Sequence, residues 1–108
     1  MTVELLRYRS EDGHEPFTEW ILGLSDRSAQ ARIRIRLRKI EVGNFGDSAP
    51  VGDGVIELRI HIGGGYRVYC AKRGDSIVLL LCGGSKASQR TDIQWARRLW
   101  SNWKEGQR

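Results

Sequence analysis

Two cysteines, two prolines, two histidines and one methionine are all that the 108 residues hold of these types. So small a supply of cysteine does not make a disulfide scaffold, and Cys70 and Cys82 read as reduced, small, buried residues. His14 and His61 stand far apart with no ligand at helical or knuckle spacing, which argues against a metal. No apolar run exceeds Ile77–Cys82, far short of a membrane span. The opening Thr2-Val3-Glu4-Leu5 lacks the basic and then apolar regions of a signal peptide, so the expected location is the cytoplasm. There is no internal repeat, low-complexity tract or Pro/Ser-rich linker, and the length suits one domain over residues 1–108 rather than two cores. Glycines at 63–65 and 83–84 could cradle phosphate. No strand-to-helix fingerprint with a lysine-serine pair follows them, so no nucleotide cofactor is expected.

What the chain does have is charge. Eighteen Lys and Arg face thirteen Asp and Glu, a net charge of +5, and the pI is about 9.7. Hydrophobic residues make up 40% and charged ones 29%, a globular rather than a disordered composition. A polyanion is the natural partner of such a surface. The excess is uneven. Residues 1–25 are net −3 and residues 44–85 are neutral, whereas residues 26–43 and 86–108 are each net +4.

Both basic segments read as helices. Ala29, Ile33, Leu37 and Ile40 share one helical face, while Ala31, Ile33, Ile35 and Leu37 also alternate with arginines as a strand would. Length, the lack of turn residues, and the helix preference of Arg, Ala and Gln favour the helix, with Asp26 as its cap. Its arginines could grip RNA, DNA or an acidic partner, and Arg32 and Arg36 are its candidate RNA contacts. Upstream, Val3–Arg9 alternates loosely as a first strand. Pro16 then opens a short helix with Phe17, Trp20, Ile21 and Leu24 on one stripe.

Downstream, Gly43–Gly54 reads as a loop, with four glycines, Asn44, Asp47, Pro50 and Asp53. Ile56, Leu58, Ile60 and Ile62 then alternate strictly with Val55, Glu57, Arg59 and His61, the mark of a half-buried strand. Gly63–Gly65 predicts a hairpin turn into a strand over Tyr66–Ala71. Arg73-Gly74-Asp75 is a second turn, and the unbroken apolar Ile77–Cys82 is a strand covered on both faces. Gly83–Ala87 reads as a loop before a last helix over Ser88–Trp103. Trp20, Trp100 and Trp103 fall on apolar stripes and read as core; Trp95 lies off its stripe. The predicted order is β-α-α-β-β-β-α, an α+β domain.

Alternation has a chemical consequence. With the isoleucines inward, Glu57, Arg59 and His61 share the opposite face, and Arg67 and Tyr69 can join them from the next strand. Lys86 is offered by the adjacent loop. These are the groups that metal-free RNA cleavage needs: a base for the ribose 2′-hydroxyl, cations for the phosphorane, and an acid for the leaving 5′-oxygen. Glu57 is the candidate base, Arg59 and Arg67 the phosphate clamps, and His61 or Tyr69 the acid or a base-stacking group. The same alternation would also arise on any half-exposed sheet, where Glu–Arg cross-strand pairs are common.

Gly43-Asn44-Phe45-Gly46-Asp47, Val55-Ile56-Glu57-Leu58-Arg59-Ile60, Gly65-Tyr66-Arg67-Val68-Tyr69 and Leu80-Leu81-Cys82-Gly83-Gly84-Ser85-Lys86, with Gln89 and Asp92-Ile93 beyond, carry a resemblance. Together they resemble the addiction-module killer proteins, a HigB-like branch of the RelE/ParE toxin superfamily. The resemblance spans nearly the whole chain. It implies a RelE/ParE-like fold, a twisted and mainly antiparallel sheet packed on helices. It also implies the toxin of a type II toxin–antitoxin module, held inactive by an antitoxin of the Cro/C1 helix-turn-helix type. Many such toxins are ribosome-dependent mRNA endoribonucleases that need no metal. ParE-like members inhibit DNA gyrase by binding instead, and an attenuated toxin would serve mainly as its antitoxin's partner. By motif match the implied site residues are Glu57, Arg59, Arg67, Tyr69 and Lys86. The chain departs from the family pattern at Ala49, where a lysine is usual, at Gly63-Gly64-Gly65, where Gly-Pro-Gly is usual, and at Cys70, which replaces an aromatic. Loss of the lysine removes a phosphate contact or base.

Overall fold

A computed structural model of the protein describes residues 2–106. Five strands form one sheet: β1 (Glu4–Arg7), β2 (Ser48–Pro50), β3 (Val55–Ile60), β4 (Tyr66–Arg73) and β5 (Ile77–Ser85). Three helices flank it: α1 (Pro16–Leu22), α2 (Arg27–Glu41) and α3 (Gln89–Gly106), the last entered through a 3-10 turn at Lys86–Ser88. Pro16 lies in the first turn of α1. The Asp26 carboxylate accepts from Ala29 N at 3.1 Å and so caps α2. Residues 27–41 are therefore helical, as their length and composition predict.

The sheet order is β1-β5-β4-β3-β2. The strands β2 to β5 run antiparallel to their neighbours, and β1 pairs in parallel with β5, Glu4 opposite Ile77 and Arg7 opposite Leu80. The sheet is thus mixed, and the first strand sits beside the last. One face packs on α1 and α2 through Phe17, Ile21, Ile33, Leu37 and Ile40, against Leu58, Val68, Cys70, Val78 and Leu80. The other packs on α3 through Ala96, Leu99 and Trp100, against Val55, Tyr69, Ala71, Leu79 and Leu81. A small α+β domain with a sheet between two helical layers results. The apolar run of β5 follows from this position: it is flanked on both edges and covered on both faces. Among the described residues, no helix is long and apolar enough to cross a membrane.

The expected order β-α-α-β-β-β-α needs correcting. Within the expected loop Gly43–Gly54, Ser48, Ala49 and Pro50 pair with Leu58, Glu57 and Ile56 as the extra edge strand β2. Its residues carry no strand signal of their own, and a proline is tolerated there because it lies at the sheet edge. The expected loop at Gly83–Ala87 is also too long, because β5 runs on through both glycines to Ser85. A Cβ at Gly83 would fall 2.2 Å from the Trp20 ring, and one at Gly84 1.8 Å from Asp92 Oδ2. Glycine in this strand admits a close approach from each helical layer.

The tryptophans follow their stripes. Trp100 is buried and stacks on half-buried Trp103, Trp20 lies on Gly83, and Trp95 is exposed. Both cysteines are free and buried, and burial pushes each thiol up to about 12, which leaves them unreactive at neutral pH.

Candidate functional site

The β3–β4 hairpin sets Glu57 opposite Tyr69 and Arg59 opposite Arg67. Strand alternation turns these four toward the α3 side, so the residues grouped by sequence pattern do share a face. That face is not open, however. The first turn of α3 closes over Glu57, whose side chain is fully buried.

Glu57 gathers donors from three directions. Gln89 Nε2, from the start of α3, donates to Oε2 at 2.9 Å, and Tyr69 Oη donates to the same oxygen at 3.1 Å. Arg59 Nε donates to Oε1 at 3.1 Å. Arg67 Nε lies 3.5 Å from Oε2, an ion pair without a hydrogen bond. Burial pushes the carboxyl upward, but the bonds from Gln89, Arg59 and Tyr69 and the charge of Arg67 outweigh it and hold it below its ordinary value. Glu57 is therefore an ionised anchor with its lone pairs engaged. An oxygen so enclosed does not meet a ribose hydroxyl, which sets this carboxylate apart from the solvent-facing base expected of it.

Tyr69 is equally enclosed. Its hydroxyl is committed to Glu57, and burial, followed by the Glu57 charge, pushes the phenol well up. It neither stacks on a base nor offers a proton to solvent from this position.

The remaining expected residues lie at the surface around two clefts. Arg67, only 15% exposed, lines one of about 400 Å³ together with His61, Lys86 and the Gly63–Gly65 turn. Lys86 is exposed at the end of β5. His61 lies just beyond β3 with its Nε2 against the Asp47 carboxylate. That contact, despite some opposing desolvation and with help from the charges of His61, Arg59 and Arg36, holds the Asp47 carboxyl low. Asp47 Oδ1 also lies 3.6 Å from Arg59 Nη1.

A second cleft, of about 320 Å³, shares Ile60 and His61 with the first and is lined further by Arg32, Arg36 and Arg59. The two α2 arginines differ in kind. Arg32 is exposed, whereas Arg36 donates to the carbonyls of Arg59, Phe45 and Asp47 and so ties α2 to the strand edge. The guanidinium expected among the RNA contacts is thus committed to backbone carbonyls in the cleft wall. Among the described residues, no group of three or more His, Cys, Asp or Glu side chains converges as a metal site would.

Three residues to which sequence reasoning gave no role belong here: Gln89, which closes the carboxylate's shell; Asp47, which joins His61 to Arg59; and Asp92, which lies over Gly84 and takes a bond from Ser88 Oγ. Only the last left a local signal, the paired glycines inside a strand.

The chain matches, over residues 19–100, the family described as "Phage derived protein Gp49-like (DUF891)". It is also similar to an uncharacterized protein of Haemophilus influenzae (strain ATCC 51907 / DSM 11121 / KW20 / Rd), 45% identical over 83 residues, which cover 77% of this chain and 84% of that one. The family match overturns the expected HigB-like branch of RelE/ParE: the Gp49-like family is a distinct, toxin-like one. Part of what carried that resemblance reports packing: Gly65 turns a hairpin at positive φ, and Gly83 and Gly84 admit Trp20 and Asp92.

Proposed function

We propose that this chain, which belongs to the Gp49-like family of phage-derived proteins, is the toxin of a toxin–antitoxin pair and cleaves mRNA on the ribosome without a metal. A toxin-like family is compatible with the first part. The observation that carries the second is one buried carboxylate holding two guanidiniums side by side, Arg59 and Arg67, which line two adjoining basic clefts. Such a pair is preorganised for phosphate: its donors are aimed and fixed before substrate arrives, so little reorganisation accompanies the reaction.

The chemistry distributes over the cleft. Arg67, with Arg59 behind it, holds the scissile phosphate and stabilises the charge of the phosphorane. His61 takes the 2′-hydroxyl proton; Asp47 holds its Nε2–H and leaves Nδ1 as the accepting atom. The 2′-oxygen bonds to phosphorus, the bond to the 5′-oxygen breaks, and the Lys86 ammonium supplies that oxygen's proton. Glu57 and Gln89 position the clamp, and Tyr69 completes its shell. A cognate antitoxin is the neutralising partner in this reading.

Primer extension on mRNA in a purified translation system tests it. New ends within the ribosomal A site, lost without ribosomes and reduced about a hundredfold or more by Arg67→Ala, are expected. Uncut mRNA with a folded preparation overturns it. One observation favours a second reading, a toxin that acts by binding alone on DNA gyrase or chiefly as the antitoxin's partner. With Glu57 and Tyr69 both enclosed, His61 is the cleft's one imidazole. Under that reading His61→Gln remains toxic.

A further inference from the structure

We infer that the second cleft, between α2 and the β2–β3 edge, is a subsite for a nucleotide of the bound RNA next to the scissile phosphate, built to hold a base as well as a backbone charge. This rests on the RNA reading above and extends it to substrate recognition.

Helix α2 presents Arg32, Ile35, Arg36 and Lys39 to this cleft, the i, i+3, i+4, i+7 rows of one face. That face is distinct from the buried one of Ala29, Ile33, Leu37 and Ile40. Arg36 is tied to three carbonyls and forms a fixed wall rather than a free cation. Ile35 stands 48% exposed, a large apolar residue set between the two exposed cations Arg32 and Lys39. An apolar platform flanked by cations suits a nucleotide: the base lies on the aliphatic surface while the phosphates meet Arg32 and Lys39.

Asn44 lines the same cleft. Its Oδ1 accepts from Gly46 N at 3.0 Å, which orients the amide and leaves its NH₂ to donate to a base edge. The one carboxylate in the wall, Asp47, is already engaged by His61 and Arg59. Gly46, at φ +60°, brings this loop so close to the Arg36 guanidinium that a Cβ there would fall 2.9 Å from Nε, so the wall is held in shape. The two clefts meet at Ile60 and His61. A strand held by Arg67 in one therefore reaches the other without leaving the surface. An acidic peptide would use the cations and the Asn44 donor, but the exposed Ile35 between the two cations does not answer to carboxylates.

The test is fluorescence anisotropy with a short, uncleavable 2′-O-methyl RNA at low salt, using the full chain. Ile35→Asp is expected to weaken binding on the order of tenfold. Lys39→Ala should flatten the dependence of log K on log salt by about one. Ile35 and Lys39 are both exposed, so neither substitution reaches the core, and circular dichroism checks that both variants are folded. Wild-type affinity in both variants alongside a loss in Arg67→Ala overturns the subsite while leaving the RNA reading intact. Absence of binding by the wild-type protein, or indifference to Arg67→Ala, overturns the RNA reading and the subsite with it. Equal binding of polyglutamate, lost in the same variants, overturns the subsite in favour of an acidic partner.

Discussion

Glu57 is the residue on which the site turns. A carboxylate at zero exposure is costly unless it is paired and hydrogen-bonded, and here Gln89, Tyr69, Arg59 and Arg67 meet that need. Replacing it by Gln keeps the shape but removes the counter-charge of Arg67 and leaves Arg59 only its longer contact with Asp47. Glu57→Gln is expected to lower unfolding stability by about 3 kcal/mol, read from urea midpoints at neutral pH. The acid response follows from the same group. Because its folded pKa is depressed, its contribution is complete above the ordinary carboxylate value and is lost as pH falls through the folded one. Wild-type stability should thus converge on that of Glu57→Gln in acid. A constant gap between the two across that range would count against an ionised Glu57.

At the scale of elements, the β5 glycines decide how the helical layers approach. Gly84 pairs with Arg67 across β4–β5 and lies under Asp92 of α3, while Gly83 lies under Trp20. A methyl at Gly84 meets the Asp92 carboxylate, so that side chain must turn away and give up its bond from Ser88 Oγ. Gly84→Ala is expected to cost about 2 kcal/mol, an overpacking effect, and Asp92→Ala in the same chain should recover part of it. Thermal melts of the two single variants and the double variant check this. Strict additivity would show that the two positions do not touch. The edge strand β2 is a different case. Its pairing with β3 draws Asp47 toward Arg59 and His61, helped by the three carbonyl bonds of Arg36.

For the whole molecule, the order β1-β5-β4-β3-β2 puts the longest and most apolar strand between the first strand and the hairpins. Opening β5 exposes both core layers at once, whereas β2 has three residues at one edge. Native-state hydrogen exchange should therefore find the slowest amides at Leu79–Cys82 and fast ones in β2. Equal protection in both strands would contradict this hierarchy. The net charge of +5 acts at the same scale. It draws the molecule toward polyanions generally, while the two clefts that meet at His61 concentrate Arg32, Lys39, Arg59, Arg67 and Lys86 around it.

Local periodicity was enough to identify β3, β4 and β5, and length with helix preference to decide α2; alternation also predicted that Glu57, Arg59, Arg67 and Tyr69 share a face, because it is a property of the chain itself. It was enough, too, for the charge blocks and for the apolar stripes of Trp20, Trp100 and Trp103. What covers a sheet face is not local. Only tertiary structure closed α3 over Glu57, spent Tyr69 and Gln89 on its carboxylate, and turned Arg36 to backbone carbonyls rather than solvent. The parallel pairing of β1 and the existence of β2 were likewise decided there. The hydrogen bonds of β1 reach a strand far along the chain and those of β2 its immediate successor, and neither segment carries a pattern that names its partner.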